Sequence, residues 1–397
     1  MIITIVGGGN GGHVLAALAG ATRGVEVRIL TRRPEIFAEG VIACQRPGIG
    51  GGPTVHGTID RVSSDPAEVV PGSHIVIWCG PVVATRAVFK DLAPFVQPTG
   101  THTTYVGCLF SQGCVHLLAK KELGAHVPFF ALQSIPWLCR TVTPGKMCEI
   151  VGRKHYTNVA CHRVNFTWLR RALEDIIEVK LIRLADFAAI VLNPANQIIH
   201  PARYWGIFKD WDGKTPIRGE AVPWLYRDFD RVSTEALAGL DVELQAIKSD
   251  LVTLTPELDL DPIMPLQDRI IAQYGDQVAD KSSLQTVMAT NQAYSMAKTP
   301  VVALGGGVAP NPRHRVVQDD IPHGLCVLKD IAERLQHDTP WIDRMIVWHQ
   351  ELMDKEYLVG GRLIGKDLAE CSSLSALGAH SLSNIGHVDE PFIPCRL

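Results

Sequence analysis

The chain has almost no net charge and lacks a long apolar segment. Its 38 lysines and arginines nearly balance 41 aspartates and glutamates, so the formal net charge is −3 over 397 residues. Such a balance gives no strong attraction to nucleic acid or to an anionic membrane surface. The sequence contains no run of about 20 apolar residues, the length that is needed to span a bilayer. The first apolar stretch has no basic leader or cleavage site. We therefore expect a cytoplasmic protein without nucleic-acid or membrane partners.

The ten cysteines contain no CxxC pair, which is the usual mark of a thiol redox motif or a zinc site. Several lie in apolar runs such as IVIWCGP and YVGCLF. This placement is typical of reduced cysteines that act as small core residues, with disulfides or a structural zinc as the open alternatives. We predict no metal site.

The spacing of apolar residues changes near the middle of the sequence. In the N-terminal part, short apolar runs alternate with helix-like segments, and this predicts βαβ units with a mainly parallel sheet. The predicted strands cover residues 2–6, 25–30, 74–79, 102–107, 127–132 and 147–152. From about residue 183, apolar residues recur at spacings of three and four, as in amphipathic helices. We predict an α/β domain over residues 1–182 and a mostly helical domain over residues 183–397.

The first predicted strand runs into the glycine-rich turn GGGNGG. Gly7, Gly9 and Gly12 fit the pattern G-x-G-x-x-G between a strand and a helix. The first glycine permits the tight turn, the second lets a pyrophosphate approach the backbone, and the third lets the helix pack closely on the strand. Free N–H groups at the helix start would then hold the phosphates. The pattern predicts a Rossmann dinucleotide-binding site, in which we include Asn10.

Two further features concern the cofactor. After the second strand, the acid that usually binds the adenosine ribose is replaced by Thr31, Arg32 and Arg33. Arginine there suits a 2′-phosphate, but it also suits a solvated strand end or stacking on adenine, so these residues leave NAD and NADP open. Pro81 follows the strand HIVIWC, where a rigid turn would let the nicotinamide half pass; an ordinary strand-ending turn is the alternative.

A second group of polar residues lies in the helical half. His200 precedes a proline, which favours a helix break that would point the histidine into a cleft. A lone histidine is otherwise a satisfied core or surface residue. Asp320 could orient and charge this histidine for acid–base work, or it could cap the helix that follows it. Arg315 could bind a carboxylate in a bidentate fork.

These segments resemble the opine dehydrogenases, especially those of marine invertebrates. The resemblance rests on motifs in family order from residue 2 to about residue 370: VGGGNGGHVLAALA, FSQG, IPWLCR, NQIIHPARYWG, GGGVAP, HRVVQDDIPHG, KEYL and GKDLAE. It implies a Rossmann domain followed by a helical domain, with the active site in the cleft between them. It also implies NADH-dependent condensation of an amino acid's amine with a 2-oxo acid, usually pyruvate, by a monomer.

The resemblance also implies roles for individual residues. His200 would be the acid–base group and Asp320 its partner. Arg315 would hold the carboxylate of the oxo acid, and Gln112 would contribute on the same side. The family's preference places NAD above NADP despite Arg32.

One departure from the family concerns the amine substrate. Relatives that use arginine carry an acid just ahead of the PW segment, where this chain has Gln133. A neutral amide cannot form the charge-assisted pair that selects a guanidinium. We therefore expect a small amine substrate, such as taurine, alanine, glycine or β-alanine, rather than arginine. The alternative activity is reduction of a 2-oxo acid, or oxidation of a 3-hydroxy acid, without an amine.

Overall fold

The chain forms two units in a computed structural model that describes residues 1–47, 52–98, 102–193 and 195–387. The first unit contains Met1–Ser111 and Val115–Ile190, and the second contains Gln112–Cys114 and Val191–Gly386. Three residues of the N-terminal half thus belong to the second unit. No described helix is both long and apolar enough to cross a membrane.

The described strands are short, as expected for an α/β protein. They are β1 Ile2–Val6, β2 Glu26–Leu30, β3 Val41–Arg46, β4 Gly52–Thr58, β5 Arg61–Ser63, β6 Ile75–Trp78, β7 Tyr105–Cys108, β8 Phe129–Leu132, β9 Trp137–Thr143, β10 Met147–Arg153, β11 Tyr156–His162, β12 Lys180–Arg183, β13 Val301–Leu304, β14 Gly307–Pro310, β15 Leu358–Val359 and β16 Arg362–Leu363.

The described helices are concentrated in the second unit. They are α1 Asn10–Ala21, α2 Pro66–Val69, α3 Thr85–Leu92, α4 Val115–Leu123, α5 Phe166–Ile177, α6 Ala188–Val191, α7 Asn196–Phe208, α8 Arg231–Leu254, α9 Leu266–Tyr274, α10 Leu284–Thr290, α11 Arg315–Gln318, α12 Cys326–Leu335, α13 Pro340–Met353 and α14 Leu374–Leu377.

The first unit is built on an eight-stranded sheet in the order β12-β11-β8-β7-β6-β1-β2-β5. Its strand pairs are parallel except for β8 with β11. The β1 strand lies inside this sheet between β6 and β2, where Ile3 and Ile5 are fully buried. The predicted Rossmann-type parallel sheet, followed by a mostly helical region, is confirmed.

A second sheet in the same unit has the order β4-β3-β10-β9. The predicted strand at 147–152 exists as β10, but it belongs here and pairs antiparallel with β9. The turn between β9 and β10 is too short for the crossover helix that a parallel connection requires. The helix α1 also packs on β4 so closely that a Cβ at Gly57 would lie 2.2 Å from the Ala17 carbonyl oxygen. Burial on several sides explains why α1 is apolar almost all round.

The helix α7 of the second unit does not break at its internal proline. The expected break beside Pro201 is wrong, because the helix continues to Phe208 with Pro201 inside it. A proline removes one helical hydrogen bond. Residues 197–204 are all buried, and tertiary packing of this kind contributes more to helix stability than local propensity does.

Candidate active site

The glycine turn in the first unit has the geometry that a dinucleotide pyrophosphate requires. Gly7 has a φ of +105°, a conformation that side chains disfavour. A Cβ at Gly12 would lie 2.0 Å from the Gly7 carbonyl oxygen, so only glycine allows α1 to pack this closely on β1. At Gly9, an added Cβ would meet no described atom within 4 Å. The space beside this backbone is therefore open to a ligand.

The start of α1 presents backbone donors at the same place. Its first intrahelical bond runs from the His13 N–H to the Gly9 carbonyl, so the amides before His13 have no helical partner. No acid lies in the first turn to compete for them. The Asn10 side-chain oxygen accepts a bond from the Thr141 N–H at 2.9 Å, so that oxygen is already engaged within the protein. The turn fits a phosphate group, whose charge the helix dipole favours.

His13 supports this turn, a role that we did not predict. It is buried, and burial lowers the pKa of its imidazole. Its Nε2 accepts a bond from the Gly145 N–H at 2.8 Å, which leaves the ring proton on Nδ1, facing the Gly9 carbonyl oxygen at 2.9 Å. A neutral histidine thus ties the glycine turn to the β9–β10 turn. Its position just after the last glycine was the available sequence signal.

The other predicted cofactor residues are exposed. Arg32 follows β2 and makes no hydrogen bond or ion pair within the described ranges. Pro81 follows β6 and precedes α3, with a φ of −70°. Both positions leave the side chains accessible to a bound dinucleotide, and their contacts with it stay predictions.

The predicted histidine and aspartate meet in the second unit. His200 Nδ1–H donates to Asp320 Oδ2 at 2.6 Å, and the residues are only 4% and 2% exposed. Asp320 immediately precedes a π-helical turn, Ile321–Leu325, and its side chain makes no capping bond. Turns of this type are frequent at functional sites. The capping interpretation of Asp320 is therefore excluded, and its carboxylate is available to orient the imidazole.

Gln112 completes the aspartate's contacts. Its Nε2–H donates to Asp320 Oδ1 at 2.7 Å, so both carboxylate oxygens have a partner. Gln112 is buried, and its Oε1 has no hydrogen-bond partner among the described residues. The turn that follows Asp320 packs closely on α7, since a Cβ at Gly324 in this turn would lie 2.5 Å from Gln197 Cβ on α7. Gln112 thus holds Asp320, while a contact with the oxo acid stays a prediction.

The second nitrogen of His200 has a partner that the sequence did not reveal. The Tyr226 hydroxyl oxygen lies 2.5 Å from His200 Nε2. Burial raises the pKa of this phenol well above its usual range, with a smaller contribution from Tyr294. The segment WLYRDF, which carries Tyr226, contains no motif that marks a site.

Arg203, one turn after His200 on α7, holds the loop that carries Tyr226. Its guanidinium is fully buried and donates to oxygen atoms on both sides of the tyrosine. The acceptors are the carbonyls of Trp224, Leu225 and Asp228, Asp230 Oδ2 and Ser233 Oγ. A buried cation is stable only with such complete pairing. Arg203 thus fixes Tyr226 with respect to the helix of His200.

Arg315 lies at the edge of this cluster. It begins α11, is exposed, and forms no ion pair in the part of the chain that the structure describes. The helix α11 packs on the helix of His200, and the charge of Arg315 lowers the pKa of Tyr226 against the effect of burial. The neighbouring His314 was not predicted. Burial lowers its pKa to about 4, helped by Arg315 and His200, so its imidazole is neutral near pH 7.

Gln133 belongs to the first unit, where its side chain is fully buried. Its Nε2–H donates to the Ala189 carbonyl at 2.5 Å, and its Oε1 accepts from Asn158 Nδ2 at 3.1 Å. Both ends of the amide are therefore used within the protein. The contact of Gln133 with an amine substrate stays a prediction. In the structure, its side chain joins Ala189 to Asn158.

Comparisons with known proteins agree with this arrangement. The family described as NAD/NADP octopine/nopaline dehydrogenase, alpha-helical domain, matches residues 183–353. An opine dehydrogenase from Haliotis discus hannai is 28% identical, covering 97% of this chain and 98% of its own. A tauropine dehydrogenase from Arabella iricolor is 27% identical, covering 97% and 100%. A solved octopine dehydrogenase structure with NADH and pyruvate has a TM-score of 0.80 and 26% identity, covering 97% of each chain.

Proposed function

We propose that this chain, which is similar to the NAD-dependent opine dehydrogenases, condenses pyruvate with the amine of a small amino acid. The observation that carries the proposal is the buried His200–Asp320 pair, whose geometry suits a group that transfers protons. Gln112 secures the aspartate in the same unit. The product would be a secondary-amine acid.

The glycine turn supports the cofactor part of this proposal. Gly9 leaves open space at the turn, and the first amides of α1 offer donors to a pyrophosphate. When bound, NADH would supply the hydride for reduction. Gly7, Gly12 and His13 would act indirectly, by keeping the turn in the shape that binds it.

His200 would carry the acid–base step. Asp320 accepts the Nδ1–H, which fixes the tautomer of the neutral ring and leaves Nε2 as the atom that exchanges a proton. A carboxylate behind the ring also stabilises the imidazolium that forms during transfer. Buried acid–base groups of this type contribute about 10²- to 10⁴-fold to rate.

Arg315 would bind the carboxylate of pyruvate. It is exposed and unpaired within the described residues, so no internal ion pair must break when substrate binds. Its planar guanidinium can hold a carboxylate with two parallel hydrogen bonds. The packing of α11 on the helix of His200 supports a binding position beside this histidine. The second N–H of Gln112 would be the additional donor on this side.

The amine substrate would be small and would lack a second cationic group. The position ahead of the PW segment holds a neutral amide, Gln133, whose two ends are already paired. The residues before His200 support the same preference with Asn196 and Gln197, although Pro194 of this segment lies outside the described residues. Taurine, alanine, glycine and β-alanine are the candidates, in preference to arginine.

A panel of NADH-oxidation assays tests this function. Pyruvate would be supplied alone and with arginine, taurine, alanine, glycine or β-alanine, and each assay would be repeated with NADPH. We expect amine-dependent oxidation of NADH with the highest kcat/KM for one of the small amines. A highest kcat/KM for arginine would contradict the proposed specificity. A rate of NADH oxidation with pyruvate that does not depend on added amine would instead identify a 2-oxo acid dehydrogenase.

A further inference from the structure

We infer that the Tyr226 hydroxyl is a catalytic group that relays the proton between His200 and the substrate. Asp320 occupies Nδ1 of the imidazole, so any proton that His200 exchanges must pass through Nε2. Tyr226 Oη lies 2.5 Å from that nitrogen. A substrate must therefore either displace the phenol or receive its proton through it.

The packing of Tyr226 opposes displacement. The residue is 8% exposed, and its ring packs against that of Tyr294 with centroids 4.6 Å apart. The backbone on either side is fixed, because Arg203 binds the carbonyls of Trp224 and Leu225 and the Leu225 N–H donates to the Ala297 carbonyl. Moving the loop that carries the phenol would break this buried network and leave buried polar groups without partners.

The chemistry of the phenol suits a relay. Because burial raises the pKa of Tyr226, the hydroxyl keeps its proton near neutral pH. A neutral hydroxyl is both donor and acceptor, so it can release one proton while it receives another. Arg315 begins α11, which packs on the helix of His200. A carboxylate bound by Arg315, as proposed above, would bring the adjoining carbonyl carbon of a 2-oxo acid towards this cluster.

In the condensation that we propose above, on which this inference rests, the relay acts when the carbinolamine loses water. The Tyr226 proton passes to the carbinolamine oxygen, the C–O bond breaks, and water leaves. The nitrogen lone pair forms the C=N bond of the iminium. His200 gains a proton at Nε2 earlier, through the same phenol, when the substrate ammonium loses it to become a nucleophilic amine. His200 then returns this proton to the phenolate oxygen, so the phenol is restored and the imidazole becomes neutral. The same relay would protonate the oxygen of a carbonyl reduced without an amine.

Replacing Tyr226 by phenylalanine tests the relay. This variant keeps the ring that packs on Tyr294 and removes only the hydroxyl. We expect kcat to fall about 10²-fold, the scale of general acid–base catalysis, with NADH affinity unchanged and the KM for pyruvate within about twofold. Tyr294→Phe is the matched control, since it removes a phenol one ring away and should keep kcat. Thermal unfolding of both variants would confirm that they are folded.

The double variant His200→Ala/Tyr226→Phe separates a relay from two independent effects. Groups that act as one unit are not additive, so we expect it to be no slower than His200→Ala alone. A loss equal to the product of the single losses would overturn the relay, as would a Tyr226→Phe kcat within threefold of wild type.

Wild-type enzyme provides a check that needs no variant. In mixtures of H2O and D2O, a relay that moves two protons predicts a curved dependence of kcat/KM on deuterium fraction, and a linear dependence would overturn it. Amine-independent turnover would refute the proposed condensation, while the variants would still report on the relay.

Discussion

Replacing Gln133 by glutamate tests two properties of this position: the proposed contact with the amine substrate and the observed burial of the side chain. If the residue faces the amine substrate, the added charge should favour arginine. In the structure, however, the Nε2–H donates to the Ala189 carbonyl and the Oε1 accepts from Asn158, and the side chain is 0% exposed. A protonated carboxyl could reproduce both bonds, whereas an ionised one would oppose the Ala189 carbonyl oxygen. We therefore expect the variant to lose stability in a pH-dependent manner.

The magnitude follows from the cost of ionising a buried carboxyl. Full burial raises the pKa of such a group by up to about 3–5 units from its unfolded value near 4.3. Because the folded state binds the proton more tightly, the free energy of unfolding decreases as pH rises above about 4.3, at about 1.4 kcal/mol per unit. The loss stops growing above the folded pKa. A three-unit shift gives a loss of about 4 kcal/mol at pH 8, or roughly 10 °C in melting temperature.

Thermal and denaturant unfolding at pH 5 and pH 8 would measure this difference. Gln292→Glu is a suitable control, because Gln292 is exposed and a charge there should change stability little. We expect the Gln133→Glu penalty in the free energy of unfolding to be small at pH 5 and large at pH 8. An unchanged melting temperature at both pH values would refute the reasoning from burial. A higher kcat/KM for arginine in the folded variant would support the predicted contact of this position with the amine.

Three further predictions address the two sites. His200→Ala should keep NADH affinity and lose about 10²-fold or more in kcat, measured by NADH oxidation; wild-type turnover would exclude the acid–base role. Arg315→Lys keeps the charge but loses the fork, so the KM for pyruvate should rise several-fold while kcat changes less; an unchanged KM would argue against the contact. Gly9→Ala and Gly219→Ala each add a methyl group with no described atom within 4 Å, and both should melt like wild type. Only Gly9→Ala should weaken NADH binding, by about tenfold or more, in a fluorescence titration.

The sequence predicts the parts of this protein that depend on local backbone requirements. The glycine turn needs particular residues at Gly7 and Gly12, whose φ and close packing exclude side chains. The expected break at Pro201 was wrong because a local rule was outweighed by burial of the whole helix segment. The second sheet was not predicted as a separate sheet, because its strands are partly exposed and β9 and β10 are joined by a short turn.

Tyr226 shows why part of the site could not be predicted. Its loop has no repeated pattern, and its position depends on Arg203, which binds carbonyls more than twenty residues further along the chain. Those bonds are made to backbone atoms, so the sequence of the loop itself carries no trace of them. In contrast, Asp320 was found through its motif, although the capping alternative could be rejected only from the bonds of its side chain.

The membership of Gln112–Cys114 in the second unit has a consequence for recombining related enzymes. A chimera joined at residue 183 would transfer His200 and Asp320 together but would leave the partner amide behind in the other parent. The imported carboxylate would then depend on whatever side chain the recipient supplies at position 112. An exchange that preserves this bond must therefore transfer two segments, one of them only three residues long.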